Sequence, residues 1–253
     1  MTLDIVLLLI GIGLFGGAWN AVAGGATLFT FPALMAAGLP PMIANATNYL
    51  ALLPSNAAAL PAYRQELKEI GAGIWPLLIV SGIGAVIGSL LLTKSDPAFF
   101  IAAVPPLILF ATALFAFGES LRRHLLRIAG DRNSTVIIYI TLFIASIYGG
   151  YFGAGLGIIL LGIVQVMGYA TFNVANSLKN LLATSFTILS IIVFGIGGLV
   201  AWPEAIVMMC GSTVGGYLGG RYARLVNERI LRTVVIVFGL LFSAFYFARN
   251  AGW

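Results

Sequence analysis

Tyr148-Gly149-Gly150-Tyr151-Phe152-Gly153-Ala154-Gly155-Leu156-Gly157 puts five glycines into ten positions inside a charge-free run, Val136 to Tyr169. A cluster that dense ends a helix, because glycine loses the most backbone freedom on helix formation and readily takes positive φ. The run therefore reads as a hairpin, with an arm of about membrane length before the break and a shorter arm near Ile158 to Met167 after it. An earlier run, Ile5 to Leu39, repeats the plan with Gly24-Gly25 as the break and Ala26 to Ala37 as the short arm. At 1.5 Å per residue such short arms span only roughly 15–18 Å and reach part of the way through a bilayer.

The rest of the chain supports a membrane setting. Of its 253 residues 60% are hydrophobic and only 8% charged, with a mean hydropathy of +1.06, whereas a soluble domain carries about a quarter of its residues as charges. Further charge-free runs cover Ile70 to Thr93, Pro97 to Gly118, Ala205 to Gly220 and Thr233 to Ala248. The fold class expected is an all-α polytopic membrane protein, since the alternation of a membrane barrel is absent.

The net charge of +5 does not point to nucleic acid, because ten of the thirteen Lys and Arg fall in three short connections. Arg64 and Lys68 lie in the first, Arg122, Arg123, Arg127 and Arg132 in the second, and Arg221, Arg224, Arg229 and Arg232 in the third. Loops rich in Lys and Arg face the cytoplasm. All three can do so only if each glycine-broken run begins and ends on one side, which places both termini outside the cytoplasm. The N-terminus, Met-Thr-Leu-Asp, lacks the basic region of a cleavable signal and reads as the start of the first arm.

The two halves can be overlaid: glycine break, short arm, Gly38 or Gly168, a polar island, a long helix, Trp75-Pro76 or Trp202-Pro203, a Gly-rich helix, a loop and a final helix. Residues 1–118 form a first transmembrane repeat, 119–134 a basic cytoplasmic linker and 135–253 a second repeat. Each half counts five segments, an odd number, so the repeats are expected to be inverted. Inverted repeats with broken helices are a transporter architecture with the binding site at the repeat interface.

At this level of detail the chain resembles a known family. Gly16-Gly17 through Ala21-x-x-Gly24-Gly25, Phe31-Pro32-x-Leu34, Gly38-Leu39-Pro40 and Ala44-x-Ala46-Thr47 resemble the first repeat of the TauE/SafE sulfite exporters of bacteria. The glycine cluster at 148–157, Ala175-Asn176-Ser177-Leu178-Lys179-Asn180 and Gly215-Gly216-Tyr217-Leu218-Gly219-Gly220 are similar to that family's second repeat. The resemblance implies a helical carrier in the bacterial inner membrane that moves small anions, among them sulfite and organosulfonates.

The candidate site residues lie in the islands and the breaks. Lys179 is the only charge between Asn133 and Pro203, and an ionisable group at such a place marks function by default. With no membrane carboxylate to pair with it, an anion is its expected partner; the plain alternative is a lysine that snorkels or satisfies helix-end carbonyls. Asn176 and Asn180 share its helical face at i, i+3 and i+4 spacing, with Ser177 beside them. Asn45, Thr47 and Asn48 form the matching island. Gly24, Gly25, Gly155 and Gly157 would let backbone N–H groups at the short-helix starts approach an anion.

Other chemistries are poorly served. Gly153-x-Gly155-x-Gly157 has neither a preceding strand nor a following Lys-Ser/Thr and so is not a nucleotide loop. Cys210 is the sole cysteine, His124 the sole histidine, set in the basic linker, and no metal-ligand set or nucleophile with its base is visible. Tyr63, Tyr148 and Tyr151 read as interfacial or core residues. The expectation is a non-enzymatic anion transporter without cofactor or metal, working by alternating access. The alternatives are an anion channel and a non-transporting scaffold. Its partners would be a small anion, the lipid bilayer and a second copy of itself, with no nucleic acid.

Overall fold

The computed structural model describes residues 1–22, 24–128, 134–169, 171–222 and 228–250, and these contain eleven α-helices, two short 3-10 turns and no strand. The first half holds α1 (Leu3–Val22), α2 (Thr27–Ala36), α3 (Pro41–Ala59), α4 (Arg64–Ile70), α5 (Ile74–Lys94) and α6 (Pro97–Ile128). The second holds α7 (Ser134–Tyr151), α8 (Leu156–Val166), α9 (Phe172–Ile196), α10 (Trp202–Tyr222) and α11 (Glu228–Asn250). Leu3–Val22, Ile74–Lys94, Pro97–Leu114 and Asn173–Ile196 are long and apolar enough to cross a membrane.

Both expected breaks are present. Gly24 and Gly25 interrupt the first run at φ +73° and +85°, and Gly153 and Gly155 the second at +74° and +75°. A side chain at such φ costs roughly 1 kcal/mol or more, so the chain turns where glycine permits it. The short arms α2 and α8 follow at 10 and 11 residues. Each ends before a glycine at φ +97°, Gly38 in one half and Gly168 in the other.

The basic linker differs from the loop expected. α6 continues through Glu119, Arg122, Arg123 and Arg127 to Ile128, because Leu121, Leu125, Leu126 and Ile128 come at helical spacing among good helix formers. The first basic connection is likewise helical, as α4. Arg132 and Arg224 lie outside the described residues.

The halves interlock by exchanging neighbours. α1 packs on α10 and its counterpart α7 on α5, while α3 packs on α10 and its counterpart α9 on α5. α3 and α9 meet each other at the centre, and α6 meets α11. Small residues allow the close approach: a Cβ on Gly17 would stand 2.6 Å from Ser212 Cα, and one on Gly88 would stand 2.9 Å from Tyr151 N. In lipid, such backbone contact and packing replace the hydrophobic drive that assembles helices in water. Outward faces are apolar, as with Leu3, Leu7, Ile10 and Leu14 along α1.

Candidate functional site

A helix broken in an apolar interior strands its last carbonyls, which must find donors from elsewhere. At the end of α1 the donors come from α9. Asn176 Nδ2 donates to Ala21 O at 3.2 Å and Asn180 Nδ2 to the same oxygen at 3.2 Å. Lys179 Nζ donates to Asn20 O at 3.1 Å, an oxygen that also accepts from Gly24 N at 3.1 Å. At the end of α7 the donors come largely from α3: Asn45 Nδ2 donates to Tyr151 O at 3.0 Å, and the Tyr49 hydroxyl donates to Gly149 O. Each island therefore caps the broken helix of the opposite half.

Between the breaks lies a cavity of about 60 Å³ of water-accessible space. A single water needs roughly 10–15 Å³ on that scale, so the space suits a few waters or one small ion. Both halves build it in parallel. α3 contributes Asn48, Leu52 and Asn56 at i, i+4 and i+8, and α9 contributes Lys179, Ala183 and Thr187 at the same spacing. Gly24, Gly25 and Thr27 close one side, and Gly153, Leu156 and Gly157 the other. A Cβ on Gly24 would stand 2.7 Å from Gly157 Cα, so the two breaks touch backbone to backbone. Thr27 and Leu156 open α2 and α8, which turns the positive ends of both short helices toward the cavity.

Lys179 is 1% exposed and no Asp or Glu lines the cavity with it. Its contact with Asn20 O matches the helix-end alternative raised by the sequence, while its place in the lining matches the ligand reading; one ammonium has three donors and can do both. Asn48 is equally buried: its Nδ2 donates to Thr27 Oγ1 at 3.1 Å, and its Oδ1 has no protein partner.

Of the residues expected from the sequence, Lys179, Asn48, Gly24, Gly25 and Gly157 line the cavity. The others hold its frame. Asn45, Asn176 and Asn180 cap helix ends as described, and Thr47 Oγ1 accepts from Ala201 N at 2.9 Å. Ser177 Oγ bonds back to Val174 O at 2.7 Å. Gly155, in its left-handed conformation, faces Ala111. Tyr63 belongs to the core, with its hydroxyl 2.9 Å from Asn176 Nδ2.

Sequence reading missed Asn20, Thr27, Asn56 and Thr187. Continuing the stripe by four and eight residues from Asn48 and Lys179 would have found Asn56 and Thr187. Asn20 is the one side-chain amide in the first arm, four residues before the break. Among the described residues no group of His, Cys, Asp and Glu could hold a metal ion.

Comparison with known proteins agrees with this architecture. The family model described as Sulfite exporter TauE/SafE matches residues 9–246. A probable membrane transporter protein of Haemophilus influenzae is 28% identical over 99% of this chain and 97% of its own length. The probable membrane transporter protein ORF9 of a Sinorhizobium species is 29% identical over 87% of this chain and 84% of its own. The probable membrane transporter protein YfcA of Escherichia coli K12 is 27% identical over 92% and 86% respectively. No solved structure matches the chain.

Proposed function

The chain belongs to the TauE/SafE sulfite-exporter family, and from that membership we propose that it carries a small oxyanion, sulfonate or carboxylate across the bacterial inner membrane by alternating access at the cavity between its halves. That it is a multi-pass membrane transporter rather than an enzyme follows from the family and the relatives. The substrate class rests on one observation: Lys179, buried in the cavity wall, faces a space with no carboxylate in its lining. A buried ammonium needs a counter-charge, and the cavity is where one can enter.

The remaining parts have distinct work. Lys179 anchors the anion, Asn48 and Thr27 orient its oxygens, and Gly24, Gly25 and Gly157 bring backbone close to it. Asn45, Asn176 and Asn180 keep the broken ends in place one layer behind, while Thr47 holds the backbone at Ala201 and Ser177 bonds within its own helix. The reciprocal packing of the halves supports an inverted-repeat carrier, in which one pair of breaks closes as the opposite path opens.

A thermal-shift panel of sulfite, methanesulfonate, sulfate and small carboxylates tests the substrate class. A ligand that binds only the folded state adds about RT ln(1 + [L]/Kd), or roughly 2.7 kcal/mol at a hundredfold excess over Kd. A panel in which no anion raises the melting temperature, while a neutral or cationic solute does, would sink the reading.

A further inference from the structure

We propose that Lys179 is also the proton carrier of this transporter, so that each anion crosses together with one proton held on the lysine amine. The inference rests on the anion reading of the cavity and adds the coupling ion to it.

The lining contains no Asp, Glu, His or Arg, and its titratable side chains are Lys179 and Tyr49. The Tyr49 hydroxyl is committed to Gly149 O. No acid with a described side chain is buried: Asp4 and Asp96 are exposed, and Glu66 and Glu204 are partly so. A proton that crosses through this site therefore has the amine of Lys179 to ride on.

The surroundings leave that proton free to come and go. Nζ meets a carbonyl, Asn20 O, which accepts a hydrogen bond from an ammonium or from a neutral amine. A carboxylate there would have locked the charged form in place. The elements packed around α9 bring Tyr49 from α3, Tyr63 from the turn at 60–63, and Tyr139, Tyr148 and Tyr151 from α7, while α1, which supplies Asn20 O, carries Asp4 as its one charged side chain, exposed at the opposite end of the helix. α8 carries no titratable side chain. The single charge of α5, Lys94, is exposed at its far end. α4 carries Arg64, Glu66, Lys68 and Glu69, of which Arg64 and Lys68 are exposed and Glu66 is partly so.

Charge balance then ties the proton to the cargo. With a monoanion bound, ammonium and anion make a neutral pair that can be enclosed. With the cavity empty, an ammonium would stand without a counter-ion in an apolar interior, and the neutral amine is the cheaper return state. On the side of entry the amine takes a proton from water as the anion arrives. On the other side anion and proton both leave, and the amine resets uncharged with its bond to Asn20 O intact.

The test uses the full-length protein in proteoliposomes with a pH dye inside, the membrane potential clamped, and methanesulfonate outside. Methanesulfonate holds no proton of its own near neutral pH, so any proton that enters with it was carried by the protein. Wild type is expected to take up one proton per anion and to accumulate the anion when the outside is made acidic. Lys179→Arg, which cannot shed its charge and replaces a compact donor with a longer planar fork, is expected to weaken anion exchange and to remove the response to the pH gradient from whatever exchange remains. Lys179→His, again titratable, is expected to regain coupled uptake. If the lysine were only a strut on α1, Arg would lower exchange and gradient-driven uptake by the same factor, and the exchange that remained would still follow the pH gradient. Anion uptake by wild type without proton entry overturns the proposal, as does gradient-driven uptake by Lys179→Arg. Failure of wild type to exchange any anion of the thermal-shift panel, the carboxylates included, removes the anion reading itself, and the coupling with it.

Discussion

Asn45 and Asn176 make the same bond in opposite directions. Each sends its amide across the molecule to the severed end of the other half's helix, Asn45 to Tyr151 O at 3.0 Å and Asn176 to Ala21 O at 3.2 Å. Because each stranded carbonyl is satisfied from the opposite half, the geometry of either break depends on the position of both.

Replacing these amides should loosen the fold more than the cavity chemistry. Leaving a buried polar group unsatisfied costs about 1–3 kcal/mol. Asn45→Ala is expected to lower the melting temperature more than Asn176→Ala, since Ala21 O keeps its bond from Asn180 Nδ2 when Asn176 is gone, whereas Tyr151 O loses the amide that caps it. Thermal unfolding in detergent measures both, and equal or negligible shifts would contradict the capping role.

Lys179→Ala should act on affinity rather than on folding. Asn20 O keeps its bond from Gly24 N when the ammonium is gone, so the end of α1 remains satisfied. A charge-assisted contact with the anion contributes on the order of 1.5–3 kcal/mol, or roughly 10- to 150-fold in affinity. Binding isotherms for a panel anion read the loss directly, and near-normal binding by a well-folded Lys179→Ala would end its role as anchor.

Glycines of positive φ separate strain from crowding. Gly38 at φ +97° has nothing within 4 Å of an added Cβ, whereas a Cβ on Gly24 at φ +73° would stand 2.7 Å from Gly157 Cα. Gly38→Ala should therefore cost only conformational strain, about 1 kcal/mol. Gly24→Ala should cost more and impair transport as well, because the breaks can no longer touch. Comparing melting temperature and uptake for the two variants decides it.

Orientation is testable with reporter fusions. With the three basic connections inside, fusions at residues 66 and 124 should report cytoplasm and a fusion after residue 250 should report the opposite side. A cytoplasmic C-terminus would remove the hairpin argument and the inverted relation between the halves.

Local signals carried most of the architecture. The glycine clusters at 24–25 and 153–157 marked the breaks, and the short arms α2 and α8 begin and end within two residues of the lengths read from the sequence. Lys179 stood out because one charge in a long apolar run is conspicuous. What stayed hidden was the crossing of partners: a side chain at 176 serving a carbonyl at 21 leaves no trace in local periodicity. The sequence also suggested one role for all the island residues, whereas burial and backbone demand divide them, with Asn48 and Lys179 at the cavity and Asn45, Asn176 and Asn180 behind it. The helical course of α6 through the basic linker was masked by its charges, which were read for orientation and not for their helix-forming neighbours.

The crossed capping also sets a schedule for biogenesis. Ala21 O waits for an amide encoded 155 residues later, which at about 5–20 residues per second is a delay of roughly 8–30 s during synthesis. For that interval the end of α1 lacks the amides that α9 supplies. The native cap on that break is complete only once the second half has been made, so the two ends of the chain finish this site together.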